Sequence, residues 1–224
     1  MEVVVQVVKS PAEQRMLLRN VSWETYERLI AEREERRKPR FFYDRGVLEL
    51  MSPSGEHDVS SRLIALLVDM VAEESGIDVE NAGSTTFKRE DLERGFEPDE
   101  CFYFSENAAR VRELVRGKGD IVLDEGDPPP DLVVEVDITN PSLNKLPIYA
   151  SLGIREVWRY DGGRLSILRL RDREKYAEAA ASGFLTAATA ETLTRLISDG
   201  LTLERLAWRR MVRASVSDPE NRPD

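Results

Sequence analysis

The sequence is poor in the residues that most often announce chemistry. It holds one cysteine, Cys101, and one histidine, His57. A single thiol closes no internal disulfide, and one Cys with one His excludes the paired spacings of zinc sites. No apolar run approaches the roughly 20 residues of a membrane-spanning helix. The opening MEVVVQVV is short and carries Glu2 where a secretory signal carries a basic residue. These absences predict a soluble, cytoplasmic protein with no membrane partner. Positive charge is also in deficit: 32 Lys and Arg face 42 Asp and Glu, a net charge of −10. That balance argues against tight nucleic-acid binding through a broad basic surface.

What is present suits one domain. Apolar residues make up 41% of 224, enough for a real core, and no repeat or low-complexity block interrupts them. We read residues 1–21 as an N-terminal arm or strand, 22–212 as the domain and 213–224 as a flexible tail. Ser22 is a helix N-cap before WETYERLIAEREERRK, with Trp23, Tyr26, Leu29 and Ile30 on one stripe. RFFYDRGVLELMS reads as a hairpin turning near Asp44-Arg45-Gly46. A long helix follows from SPSGEHDV, with Val59, Leu63, Leu66 and Met70 at helical spacing and Gly76 closing it. IDVENAGSTTFKRE gives strand-like pieces, and RGFEPDECFYF reads as one strand with Pro98 near its entry. DLVVEVDI is the most apolar strand. SLNKLPIYASLG is a short helix with Pro147 in its first turn. EVWRYD, RLSILRLRD and KYAEAAASG are further strands, and 189–212 is helical. This order predicts an α/β (α+β) fold with a mixed sheet flanked by helices.

The stretch PPPDLVVEVDITNPSLNKLPIYASLG, residues 128–153, carries the chemical signal. Strand alternation puts Leu132, Val134, Val136 and Ile138 on one face and Asp131, Val133, Glu135 and Asp137 on the other. Burying an unpaired carboxylate costs several kcal/mol. Water, a cation or a basic partner must therefore compensate. Residues two apart in a strand are roughly 6.6 Å apart, so Glu135 and Asp137 can reach one ion. Asp131, roughly 13 Å from Glu135, cannot. A second acid has to come from a neighbouring strand, and EPDE offers Asp99. Hard cations such as Mg²⁺ take a few carboxylates plus water. Lys145 can offset developing negative charge or orient a water. A Glu135–Lys145 ion pair without chemistry explains the same pattern.

Taken in order, LELMSPSGEHDVSSRLIALL, FEPDECFYF, PPPDLVVEV and NKLPIYASLGIREVWRYD resemble the putative restriction endonuclease domain family. That family is abundant in cyanobacteria and belongs to the PD-(D/E)XK nuclease superfamily. The resemblance spans about residues 22–170. It implies a restriction-endonuclease-like fold around a Mg²⁺ or Mn²⁺ cleft, with Asp99 and Glu135 as metal-binding acids and the Val136 carbonyl as a further ligand. Asp137 fills the superfamily's lysine slot. The lysine resembles one moved to the next helix, Lys145, four residues before Tyr149. His57 stands where the family commonly has a histidine, and Glu56 resembles the first-helix acid. Glu56, His57 and Asp137 are thus accessory candidates. Helix-end electrostatics is the plainer role for Glu56, and an ordinary hydrogen bond for His57. Lys88 reads as exposed, Cys101 as a buried thiol, and Trp158 and Tyr160 as sheet packing.

The function this implies is metal-dependent hydrolysis of DNA phosphodiester bonds, with DNA as a transient partner. The alternative is a catalytically inactive, dimeric binding or scaffold protein on the nuclease fold. The charge of −10, Asp137 and the short Glu135–Lys145 link motivate it. VVVQVV, able to add to a partner's sheet, suggests a homodimer.

Overall fold

The structure is a computed structural model, and it describes residues 5–9, 14–33, 38–138, 143–172 and 175–217. The chain opens with β1 (Val5–Lys9) and β2 (Gln14–Arg19) and continues into α1 (Trp23–Glu32). Ser22 caps α1, its Oγ accepting from the Thr25 amide at 3.3 Å. β3 (Arg40–Asp44) and β4 (Val47–Ser52) form the expected hairpin. Arg45 and Gly46, both at positive φ, supply its tight turn. Ser54 caps α2 (Gly55–Glu74), and Gly76 follows the helix at φ +66°. Next come β5 (Val79–Asn81), β6 (Phe87–Arg89), β7 (Arg94–Phe96), β8 (Glu100–Phe104) and α3 (Glu106–Lys118). β9 (Leu132–Val136), α4 (Leu146–Ser151), β10 (Glu156–Tyr160), β11 (Leu165–Arg171) and β12 (Lys175–Ala179) follow. α5 (Ala190–Thr202) and α6 (Arg205–Ser217) end the described chain.

Two six-stranded sheets result. The first, ordered β1-β2-β4-β3-β7-β6, is antiparallel throughout. The second, ordered β12-β11-β10-β9-β8-β5, is mixed, with β9 and β10 parallel across the α4 connection. Three apolar clusters set the layers. Val21, Trp23 and Tyr26 pack on the outer face of the first sheet. Phe42, Met51 and Phe96 meet Cys101, Val133, Ile148 and Tyr149 between the sheets. Leu132, Val134, Val136 and Trp158 pack under α2, α5 and α6. β9 therefore alternates as its sequence requires, and Glu135 emerges on the face opposite Val134 and Val136.

Several elements differ from expectation for identifiable reasons. RGFEPDECFYF is two strands, β7 in one sheet and β8 in the other, because the chain crosses between sheets at Glu97-Pro98-Asp99. Proline cannot donate to a ladder, so it suits that crossing. α3 gives little periodic signal, since only Ala108 and Val111 of its thirteen residues are buried. Val59 is 53% exposed. It shares a helix face with Arg62, Leu66, Asp69 and Glu73, while Leu63, Ile64, Leu67, Val68 and Val71 form the buried stripe. The C-terminal helical segment breaks at Leu203-Glu204. α6 then runs to Ser217 with Val216 buried, past the expected start of the tail. Residues 218–224 lie outside the described ones. Among the described residues no helix is long and apolar enough to cross a membrane.

Candidate functional site

β9 brings the two principal acids together. Glu100 of β8 lies opposite Val134. Asp99 immediately precedes β8, at the crossing from the first sheet. The Val136 amide donates to Asp99 Oδ2 at 2.6 Å. The same oxygen lies 3.1 Å from His57 Nε2 in the first turn of α2. Asp99 Oδ1 is ion-paired with Arg40 Nη1 at the start of β3. Glu135 Oε2 is ion-paired with Lys145 Nζ, and its Oε1 accepts from Tyr149 Oη at 2.5 Å. Lys145 Nζ also lies 3.8 Å from the centroid of Phe42, a cation–π contact.

The local sequence explains why these groups meet. Lys145 is the N-cap residue of α4, whose first-turn Pro147 needs no intrahelical donor. The Lys145 carbonyl accepts from the Ile148 and Tyr149 amides at 3.0 and 3.1 Å. One helical turn thus presents Lys145 and Tyr149 together to Glu135. All four of Asp99, Glu135, Arg40 and Lys145 are buried. Each of these buried charges has an opposite partner, without which its burial would be costly.

Burial shapes the neighbours' protonation. His57 is pushed down to about 3, first by desolvation and then by the positive charges of Arg40, Lys145 and Arg15. It is a neutral imidazole at physiological pH, despite its place beside a carboxylate. Desolvation and the Glu135 carboxylate drive the Tyr149 hydroxyl well above its usual value, so it serves as a hydrogen-bond donor.

The other candidates go elsewhere. Asp137 is held by Arg15 Nη2 at 3.4 Å and Arg159 Nε at 3.1 Å. It points to those arginines, and Glu135 points to α4, so their carboxylates serve different cations. Glu56 is exposed in the first turn of α2. Asp131 is tied to the Phe104 amide and Asn107 Nδ2, both at 2.9 Å, and ion-paired with Arg155. Lys88 reaches Glu27 at 2.5 Å on the far side of the first sheet, beside Trp23. Cys101 is buried, and desolvation raises its thiol. Trp158 donates to Glu156 inside the core, away from any stacking platform.

Two clefts flank the acids. One of about 240 Å³ is lined by Lys38, Arg40, Asp58, Ser61, Arg62 and Asp99, among others. The other, about 50 Å³, is bounded by Glu135, Asp137, Lys145, Tyr149 and Arg159. Among the described residues no group of three or more His, Cys, Asp or Glu side chains is gathered to hold a metal. Asp99 and Glu135, two buried carboxylates, are donors of the kind a hard divalent ion takes while keeping much of its water. Arg40 and Lys145 already pair with them.

A family model described as Uma2, putative restriction endonuclease, matches residues 23–204. The chain belongs to this family. A search of the curated proteins finds no match. The Uma2 match starts at α1 and runs through α5, past the segment that carries the sequence motifs. Within it, sequence reasoning reached Asp99, Glu135, Lys145, Tyr149 and His57, which the fold gathers around the junction of β8 and β9. It did not single out Arg40. The available signal was slight: one charge heading the otherwise apolar RFFY strand. Nor did it select Arg15 and Arg159, which neutralise Asp137. The Uma2 chain also holds Glu97, from the same EPDE run, in a purely internal role. Glu97 accepts from Arg33 Nη1 at 2.7 Å, the Phe41 amide at 2.9 Å and Thr86 Oγ1 at 2.5 Å.

Proposed function

We propose that this Uma2 protein is a Mg²⁺- or Mn²⁺-dependent endonuclease that hydrolyses DNA phosphodiester bonds. The supporting observation is that Asp99 accepts from the Val136 amide, next in the chain to Glu135, whose buried carboxylate carries the Lys145 amine. In this reading Asp99, Glu135 and the Val136 carbonyl hold the ion. When bound, the ion polarises a phosphate oxygen and makes a coordinated water acidic. Lys145 orients the attacking water and offsets charge growing on the phosphate. Tyr149 fixes Glu135 through Oε1, leaving Oε2 and the amine facing the cleft. His57, uncharged, braces Asp99 without competing as a cation. Asp137 bears two arginines, so its charge does not repel the DNA backbone.

Purified protein should nick plasmid DNA in Mn²⁺, and Glu135→Ala should abolish nicking. Equal nicking by that variant would remove the assignment.

A second reading has its own support. Every oxygen of Asp99 and Glu135 already has a protein partner, as expected of a nuclease fold kept for binding or scaffolding alone. Calorimetry separates the two: divalent binding that disappears in Asp99→Ala favours the enzyme, and no divalent binding by a folded protein favours the scaffold. We also propose a homodimer formed through the β1 edge of the first sheet. Light scattering at the monomer mass would exclude it.

A further inference from the structure

We infer that Arg40 is a built-in cation that holds the Asp99 carboxylate until a divalent ion takes it, and that the released guanidinium then lies in the adjoining cleft to position the substrate phosphate. The inference rests on the metal-dependent reading of the Asp99–Glu135 pair and deepens it.

Asp99 Oδ1 faces Arg40 Nη1, and Oδ2 faces the Val136 amide and His57. Glu135 Oε1 and Oε2 face Tyr149 and Lys145. A hard ion binds oxygen at roughly 2.0–2.1 Å and cannot share an oxygen with a touching guanidinium, since two cations so close repel strongly. On Asp99, one partner must move. The Val136 amide is fixed in β9. Tyr149 is buried to 1% exposure with Phe96 edge-on at 4.9 Å. His57 is wholly buried. Lys145 lines the 50 Å³ cleft.

Arg40 differs from all of these. It borders the 240 Å³ cleft, so its guanidinium has space; Asp58, paired with Lys38, and Glu100, held by Ser61 and Asn81, also line it. Lys38 and Arg62 line the same cleft. Once Asp99 is covered by a divalent ion, the cleft holds three cations against two remaining acids. A phosphate is then favoured there, and the forked guanidinium suits two phosphate oxygens. The order follows from charge: ion first, phosphate second. Arg40 is in this sense a positioning residue, acting through Asp99 before substrate arrives.

Mn²⁺ titration of the full chain by calorimetry tests this. Arg40→Gln should bind Mn²⁺ about tenfold more tightly than wild type, because a competing charge is gone. Arg40→Lys, which keeps the charge, should stay near wild type, and Asp99→Asn should lose the site in either background. With a labelled DNA duplex in Ca²⁺, Arg40→Gln should bind more weakly despite its tighter ion. Folded Arg40→Gln that binds Mn²⁺ no more tightly, or binds duplex better, overturns the role of Arg40 while the metal reading stands. No Mn²⁺ binding by any form overturns both. If the Gln variant fails to fold, a Mn²⁺-soaked crystal of the unaltered protein decides. The guanidinium must have left Asp99, and an ion bound with Arg40 still in place refutes the exchange.

Discussion

Glu135 and Glu156 sit on neighbouring parallel strands, and both are buried. They are held in different ways. Glu156, on the α2 and α5 side, accepts from Trp158 Nε1 at 2.7 Å, Ser182 Oγ at 2.6 Å and the Gly183 amide at 2.7 Å. These donors are neutral and mostly fixed by backbone or core packing, with Arg169 Nε only at the 4.0 Å limit of an ion pair, and they tie the 181–185 turn to β10. Glu135, on the opposite face, is held by a side-chain ammonium and a phenol, and it borders a cleft. The lesson is that burial alone does not mark a functional acid. An acid saturated by rigid neutral donors organises the chain. An acid held by a movable cation can exchange that partner for another.

The sharpest way to break this contrast is through activity. Glu135→Gln keeps the shape and the Tyr149 contact but removes the charge. Plasmid nicking should fall by at least roughly 10²–10³, the scale expected when a group that stabilises reacting charge is lost. Glu156→Gln should leave nicking near wild type. If both variants lose activity equally while remaining folded by circular dichroism, the distinction between the two acids fails.

Stability should show the reverse ranking. Glu156→Ala strands two buried donors and the part-buried Gly183 amide and should cost about 3–5 kcal/mol by urea denaturation, with the 181–185 amides losing hydrogen-exchange protection. An effect below about 1 kcal/mol would mean that water replaces the carboxylate easily and that its donors are less fixed than argued.

The same contrast explains what was legible in the sequence. The alternation of β9 was readable because apolar side chains fix strand register. The surplus of acid on its second face followed directly. α2, the β3–β4 hairpin and the α1 cap were readable for similar local reasons. The partners of each acid were not. Glu97, Asp99 and Glu100 are adjacent in EPDE, yet Glu97 turns to Arg33, Asp99 to Arg40 and His57, and Glu100 to Ser61 and Asn81. That sorting depends on the crossing between sheets at Pro98, a tertiary event with no periodic trace. Arg40 and Arg15 were missed for the same reason: their acids are 59 and 122 residues away in the chain. Lys145 was within reach because it lies ten residues from Glu135.

The smallest expected change is the most discriminating. Replacing Glu135 and Lys145 together, as Glu135→Gln with Lys145→Met, removes a buried ion pair without leaving a lone charge. The Gln still accepts from Tyr149, and the Met fills the lysine stem's volume against Phe42. Paired removal of buried ions is often neutral or stabilising, so unfolding free energy should stay within about 1 kcal/mol of wild type or rise. Either single change should be worse than the double, because it buries an unpaired charge or leaves an acid without its cation. A double variant that folds as well as wild type and cuts nothing would mean the pair is kept at no benefit to the fold, as stability–activity trade-offs predict for working sites. A double variant several kcal/mol less stable would place Glu135 beside Glu156, as an acid that holds the chain together.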